Sequence, residues 1–266
     1  MRLGLIGAGN MGGAILRGAL KQGFLSSEDV WISDLNEALC QRLKAETGVH
    51  IASNNRSLAS NCDMILLAVK PVFLNDVIEE INPFIHGKKL LSIAAGWTMQ
   101  MLCDASGRNA QVLRAMPNTP AMLGEGMTAL CAEHTFDVES FSFAKALFEA
   151  VGKVAVLPER LFDGFIAVSG SSPAYIFMLI EAMADAAVRE GIFRVDAYQM
   201  AAQAVLGSAK MALESGKHPG ELKDMVCSPG GTTIEAVAAL EAKGFRSSIM
   251  EAMAACAEKS RSMSNQ

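Results

Sequence analysis

Two stretches of this chain combine glycine with hydrogen-bonding groups in the order that anion chemistry needs. The first, Gly7-Ala8-Gly9-Asn10-Met11-Gly12, fits GxGxxG and follows an apolar run at residues 2–6. Set between a strand and a helix, such a turn offers unpaired N–H groups at the positive helix end, where a pyrophosphate can sit. Gly7 permits the tight turn, Gly9 lets the backbone approach the phosphates, and Gly12 lets helix and strand pack closely. The second stretch is Cys227-Ser228-Pro229-Gly230-Gly231-Thr232-Thr233. Thr232 and Glu235 have capping-box spacing, which puts a helix start at Thr232. Gly230 and Gly231 leave room, and the hydroxyls of Ser228 and Thr233 with nearby N–H groups can hold a carboxylate. Helix capping alone does not account for two consecutive glycines.

Other candidates are strand ends and loops. Ser33-Asp34-Leu35-Asn36 closes an apolar run at 30–33. Asp34 would accept hydrogen bonds from an adenosine ribose, favouring NADH, and would repel the 2′-phosphate of NADPH. Ser33 and Asn36 would instead bind that phosphate, and Asp34 also fits a helix cap, so both cofactors stay open. Ala68-Val69-Lys70-Pro71 and Ala94-Ala95-Gly96 end two more strands, on the edge where ligands of open α/β sheets collect. Lys70 reads equally as a phosphate or nicotinamide contact and as a solvated lysine. Ile6 and Asn54 complete the cofactor set. Ser169-Gly170-Ser171-Ser172-Pro173 reads as a loop before a helix, with Ser172 as N-cap and Pro173 first in the helix. His50, His86 and His134 read as surface residues, and His218 as structural. No Ser–His–Asp order, paired carboxylate or metal-ligand set stands out. The reaction therefore needs little more than hydride delivery to an electrophile already activated.

The elements that must position these groups follow from periodicity. Strands are expected at 2–6, 30–33, 50–52, 63–69, 89–95, 111–115, 128–131 and 153–157. Helices are expected at 9–22, 37–47, 72–81 and 138–150. This alternation implies a mostly parallel sheet with right-handed crossovers. Beyond Pro158 no strand follows, and helices are expected at 173–190, 196–214, 232–243 and 245–261, with Gly191, Gly216 and Gly244 as C-terminal caps. The expected domains are 1–158, a Rossmann-like dinucleotide-binding α/β domain, and 159–266, an all-α domain.

Composition narrows the class. The 266 residues are 51% hydrophobic and 19% charged, which excludes a disordered or fibrous chain. Mean hydropathy is positive, and the helix from Pro173 is apolar almost all round, so it must be buried. No uninterrupted apolar stretch reaches the roughly 18 residues of a membrane span. Burial against a second copy is the expectation, giving a homodimer or larger assembly. The net charge of −5 argues against nucleic acid or an anionic membrane as the main partner. Six scattered cysteines without CxxC spacing read as reduced thiols, and the absence of a signal-peptide pattern reads as cytoplasmic.

GAGNMG (7–12), AVKP (68–71), SIAAG (92–96), RAMPNTPA (114–121), SGSSPAY (169–175) and HPGELKDMVCSPGGTTIEAV (218–237) occur in this order. Together they closely resemble the bacterial pyrroline-5-carboxylate reductase family, over essentially the whole chain. The segment around SPGGTT is the most specific of them. The resemblance implies hydride transfer from NADPH or NADH to the C=N bond of 1-pyrroline-5-carboxylate, giving L-proline in the last step of proline biosynthesis. It implies that Ser228, Gly231, Thr232 and Thr233, with Gly230 beside them, hold the substrate carboxylate, Ser228 and Thr233 being assigned to the catalytic centre. Gly170 and Ser171 would line the opposite wall, with the acidic Glu159 near the site. It further implies a dimer through the helical halves, the SPGGTT loop of one subunit facing the nicotinamide of the other, and assembly of dimers into decamers. Two departures stand out. Ile166 takes the place where some members carry a Thr near the imine nitrogen, so no proton donor is assigned. Asp34 departs from the more NADPH-friendly strand ends.

Two other classes compete. A β-hydroxyacid dehydrogenase shares the Rossmann-plus-helices plan but needs a helical Lys followed three residues later by Asn. Lys210 is the positional candidate, and Met211-Ala212-Leu213 follows it. A nucleotide-sensing regulator would keep the first domain and has no need of the second anion loop.

Overall fold

A computed structural model describes residues 1–264. Asn265 and Gln266, the end of the expected second domain, lie outside the described residues. The chain divides into two compact units: Met1–Ser171 together with the C-terminal segment from Cys256, and Ser172–Ala255.

The first unit alternates strand and helix. In chain order it contains β1 (Leu3–Ile6), α1 (Asn10–Lys21), β2 (Val30–Ser33), α2 (Glu37–Thr47), β3 (His50–Ile51), α3 (Asn55–Asn61), β4 (Met64–Leu67), α4 (Leu74–Ile81), β5 (Lys89–Ser92), α5 (Met99–Ala105), β6 (Gln111–Met116), β7 (Gly126–Cys131), α6 (Val138–Glu149), β8 (Gly152–Leu157) and α7 (Phe162–Phe165). The sheet order is β3-β2-β1-β4-β5-β6-β7-β8. β1 through β6 run parallel, β7 turns antiparallel to β6, and β8 runs parallel to β7. Strand order reverses between β1 and β4, the switch point beside which doubly wound sheets bind nucleotides. β1 and β4 are apolar and buried along their whole length, as strands covered on both faces must be. One continuous core from Leu3 to Phe165 holds this unit together.

α3 and α5, both short, escape the periodicity reading. Side-chain caps start them: Asn54 accepts the Ser57 N–H at 2.8 Å, and Thr98 accepts the Met101 N–H at 3.1 Å.

The second unit contains α8 (Ser172–Arg189), α9 (Arg194–Glu214), α10 (Pro219–Val226), α11 (Thr232–Ala242) and most of α12 (Phe245–Ser264). Gly191, Gly216 and Gly244, just past three of these helices, all adopt positive φ. α10 was not expected. His218 caps it, its Nδ1 accepting the Gly220 N–H at 3.0 Å, which makes this histidine structural.

The expected loop at 169–173 is corrected. Residues Ile166–Gly170 form a π-helical turn that runs into α8, closed by the Ser171 N–H donating to the Ile166 carbonyl at 2.8 Å. Ser172 is the first helical residue of α8, and Ser171, the single residue between the π-helical turn and α8, is in helical φ/ψ (−98°, −23°), so Ser172 is not an N-cap. Distant contacts fix the turn: Asn118 Nδ2 donates to the Ser169 carbonyl at 3.1 Å, while Asn118 Oδ1 accepts the Met127 N–H.

The run Glu159–Arg189 is long and apolar enough, by length and composition, to cross a membrane, with 22% of its most apolar window buried within the chain. Counting uninterrupted apolar residues overlooks it because Ser169, Gly170, Ser171 and Ser172 interrupt the run without adding charge. All six cysteines are free, Cys40, Cys62 and Cys131 buried. His134 is half-buried rather than a surface residue: its ring stacks on Phe141 with centroids 4.1 Å apart, and burial lowers its pKa.

Candidate active site

The glycine turn is built as its chemistry requires. Gly7 sits at φ +100°, where a Cβ would lie 2.7 Å from the Ala68 carbonyl group, so the end of β4 closes over it. A Cβ on Gly12 would come within 2.2 Å of the Gly7 carbonyl oxygen; its absence lets α1 pack on the turn. Gly9 is different. It is the N-cap of α1 with no side-chain cap, and a Cβ there would meet nothing within 4 Å. The fold itself leaves that position free, whereas a pyrophosphate approaching the first-turn N–H groups would need the space. The residues present therefore fit a dinucleotide.

At the end of β2 the Asp34 carboxylate reaches back to this turn. Its Oδ2 accepts the Ala8 N–H at 2.7 Å and its Oδ1 the Asn36 N–H at 2.8 Å. The cap of α2 is Asn36, whose Oδ1 accepts the Leu39 N–H, so Asp34 is free of that duty. Ser33 is buried and donates its hydroxyl to Asn55 Oδ1 at 2.7 Å.

A cavity of about 930 Å³ opens beside this edge. Of the expected cofactor residues, Ile6, Gly7, Gly9, Ser33, Asp34, Asn54, Ala68, Val69 and Lys70 line it. Ala8, Asn10, Met11, Gly12, Pro71, Ala94, Ala95 and Gly96 do not. Gly12 supports the turn from behind, and the Pro71 carbonyl accepts Trp97 Nε1–H at 3.2 Å, tying the loop after β4 to the loop after β5. Gly96, at φ +79°, packs against Met263 of α12. The sequence reading missed Phe73, Asp76, Val77 and Glu80, which also line the cavity. Their spacing of three, one and three residues marks a single helical face, and that was the available signal.

In the first unit Glu159 is engaged inside the fold. Its Oε1 accepts Arg114 Nη1–H at 2.8 Å and the Met99 N–H at 2.7 Å. Arg114, 4% exposed, also lies over the Phe162 ring at 4.5 Å. Gly170 closes the π-helical turn, and Ser171 Oγ accepts the Cys256 thiol at 3.2 Å.

In the second unit Ser228-Pro229-Gly230-Gly231 forms a turn closed by the Gly231 N–H on the Ser228 carbonyl at 3.0 Å. Proline followed by glycine at φ +67° is the pattern of a type II turn, which accounts for Gly230. The N-cap of α11 is Gly231, without a side-chain cap, so the expected cap at Thr232 is corrected: Thr232 is already helical. A Cβ on Gly231 would fall 2.4 Å from Ser228 Oγ, so the glycine lets that hydroxyl lie over the helix start. Ser228, Thr232 and Thr233 thus gather at a helix N-terminus whose first N–H groups have no intrahelical acceptor.

Residues 159–263 match the model of the pyrroline-5-carboxylate reductase dimerisation domain, and 2–96 that of the coenzyme F420-dependent NADP oxidoreductases. The pyrroline-5-carboxylate reductase of Escherichia coli is 46% identical, covering 99% of this chain and 98% of that protein. The chain belongs to the pyrroline-5-carboxylate reductase family. Among solved structures, the family member from Coxiella burnetii has a TM-score of 0.92 at 33% identity, covering 99% of this chain and 98% of that one. The Plasmodium falciparum pyrroline carboxylate reductase, solved with NADP bound, has a TM-score of 0.89 at 31% identity, with the same two coverages. Family membership sets aside the β-hydroxyacid dehydrogenase and the regulatory readings.

Proposed function

We propose that the chain reduces the C=N bond of 1-pyrroline-5-carboxylate to give L-proline, the last step of proline biosynthesis. The observation that carries this reading is the pairing of two differently built anion sites in one chain of this family. The glycine turn is shaped for a dinucleotide, and the head of α11 is shaped for a carboxylate. NAD(P)H, when bound, supplies the hydride. The imine carbon gains that hydride and the nitrogen a proton, so C=N becomes CH–NH and NAD(P)H leaves as NAD(P)+.

The chain's own task is to hold the substrate. Ser228 and Thr233, with Thr232, Gly230 and Gly231, present hydroxyls and helix-start N–H groups to the carboxylate. Gly170 and Ser171, with Glu159, are the further substrate contacts that family membership suggests. Ile166 is buried and apolar, so it donates no proton. A protonated imine is already a good hydride acceptor, which suits a site without an acid–base pair. The nucleotide-binding part is 1–158 and the dimerising, substrate-holding part 159–266. The dimer forms through the helices, and dimers associate as decamers in the cytoplasm; light scattering on the purified protein tests the assembly.

The test of the substrate loop is Thr233→Ala. Losing one hydrogen bond to a charged group raises KM for the imine about tenfold or more, while the Kd for NAD(P)H stays within twofold. Weakened nucleotide binding with unchanged imine kinetics would overturn the assignment.

A further inference from the structure

The nucleotide cavity carries an uneven set of charges. Four carboxylates line it, Asp34, Glu37, Asp76 and Glu80, against one cation, Lys70. Asp34 lies at the end of β2, where an adenosine ribose is read in this fold. Its position is fixed from two sides by the Ala8 and Asn36 N–H groups. Each carboxylate oxygen has a second lone-pair direction left, so the group can still accept hydroxyl protons.

The groups that would welcome a phosphate are otherwise engaged. The Ser33 hydroxyl is buried and donates to Asn55. Asn36 and Asn54 are held as the caps of α2 and α3 by their side-chain oxygens, which leaves them neutral amide donors and no cation to offer. Arg56 turns its guanidinium to Glu80, 3.8 Å away. The Cys40 thiol, which also lines the cavity, has its pKa raised, first by burial and then by the charge of Asp34.

We propose that this chain selects NADH over NADPH, and that Asp34 is the residue that makes the selection. A ribose 2′-hydroxyl is neutral and donates to a carboxylate. A 2′-phosphate carries about −1.5 to −2 charge at neutral pH and would meet the Asp34 carboxylate in a cavity where four carboxylates face one lysine. The inference rests on the nucleotide-site reading above and goes beyond the family, since the Plasmodium relative was solved with NADP.

The experiment is equilibrium titration of the full-length protein with NADH and with NADPH, read by calorimetry in the absence of imine. The wild type is expected to bind NADH about tenfold more tightly or better, a factor of ten being about 1.4 kcal/mol. Asp34→Ser is expected to reverse or erase that ratio by tightening NADPH. Asp34→Asn removes the charge but keeps one oxygen, enough for the Ala8 N–H though not for the Asn36 N–H as well, so beside Asp34→Ser it helps to separate repulsion from support of the turn; it too should narrow the ratio. Equal or tighter NADPH binding by the wild type overturns the proposal, as does a ratio that neither variant moves. Failure to bind either nucleotide would instead overturn the site reading itself.

Discussion

The two units of this chain bury their apolar residues in different ways. In the first, side chains from Leu3 to Phe165 form one core, and strands such as β1 and β4 are wholly buried. In the second, the buried hydrophobic residues among those described are small: Ala184, Ala197 and Ala201. Large side chains lie open instead, among them Phe177 at 64%, Phe193 at 82%, Leu206 at 59% and Met250 at 70%. The same contrast extends to function. The nucleotide cavity is lined by the first unit alone, while Ser228 and Thr232 stand exposed at the head of α11. One half supplies its own interior; the other is shaped to be covered, as the dimerisation-domain match from residue 159 indicates.

The largest effect should come from breaking the second half of that contrast. Phe177→Glu or Leu206→Glu puts a charge on an open apolar face of α8 or α9. Burying such a side chain contributes about 1.5–3 kcal/mol, and two-fold symmetry counts each change twice. The dimer Kd should therefore rise by about two to four orders of magnitude. Light scattering should find monomers at micromolar concentration, with reductase activity lost. A variant that stays dimeric would show that these faces are not the dimer surface.

The first half offers a finer test because its glycines have separable reasons. Gly12→Ala places a Cβ 2.2 Å from the Gly7 oxygen, a clash with backbone that α1 can relieve only by moving. Overpacking of this kind costs about 1–3 kcal/mol, so the melting temperature should fall by several degrees and nucleotide affinity with it. Gly9→Ala meets nothing in the fold. Its melting temperature should hold while NAD(P)H binding weakens about tenfold or more, the cost of a methyl group where the pyrophosphate approaches. Unchanged binding by Gly9→Ala would remove the turn from the cofactor site.

How much could be read beforehand also divides along this line. β2 and α2 fall where periodicity puts them, because a largely buried Val30-Trp31-Ile32 run and a glycine-ended polar-faced helix carry their own signals. The short helices α3, α5 and α10 carry no such signal; a single cap starts each, on Asn54, Thr98 or His218. The π-helical turn at Ile166–Gly170 was illegible for another reason. Ser169-Gly170-Ser171-Ser172 has loop composition, and what winds it is Asn118, far away in sequence. The GAGNMG and SPGGTT stretches were visible because glycine, proline and hydroxyl residues are constrained locally. Phe73 and Glu80 were not, since their importance comes from the cavity that they share with β2.

Glu159 sharpens the comparison most finely, because resemblance assigns it to substrate while the structure gives it work inside the first unit. Its carboxylate joins buried Arg114 to the first turn of α5 through the Met99 N–H. Glu159→Gln keeps an oxygen for that N–H and removes the charge opposite a guanidinium that is 4% exposed. Glu159 itself is 27% exposed, so solvent already screens part of the pair. The expected loss is about 1 kcal/mol, below the roughly 1.5–3 kcal/mol of an unscreened hydrogen bond to a charged group. In a chain of this size that lowers the melting temperature by about 2–4 °C. If the clamp is all that Glu159 does, KM for the imine stays within twofold and the pH profile of kcat/KM keeps its shape. A KM that rises severalfold at constant melting temperature would place the carboxylate at the substrate. Site residues would then come from the self-contained half as well as from the covered one.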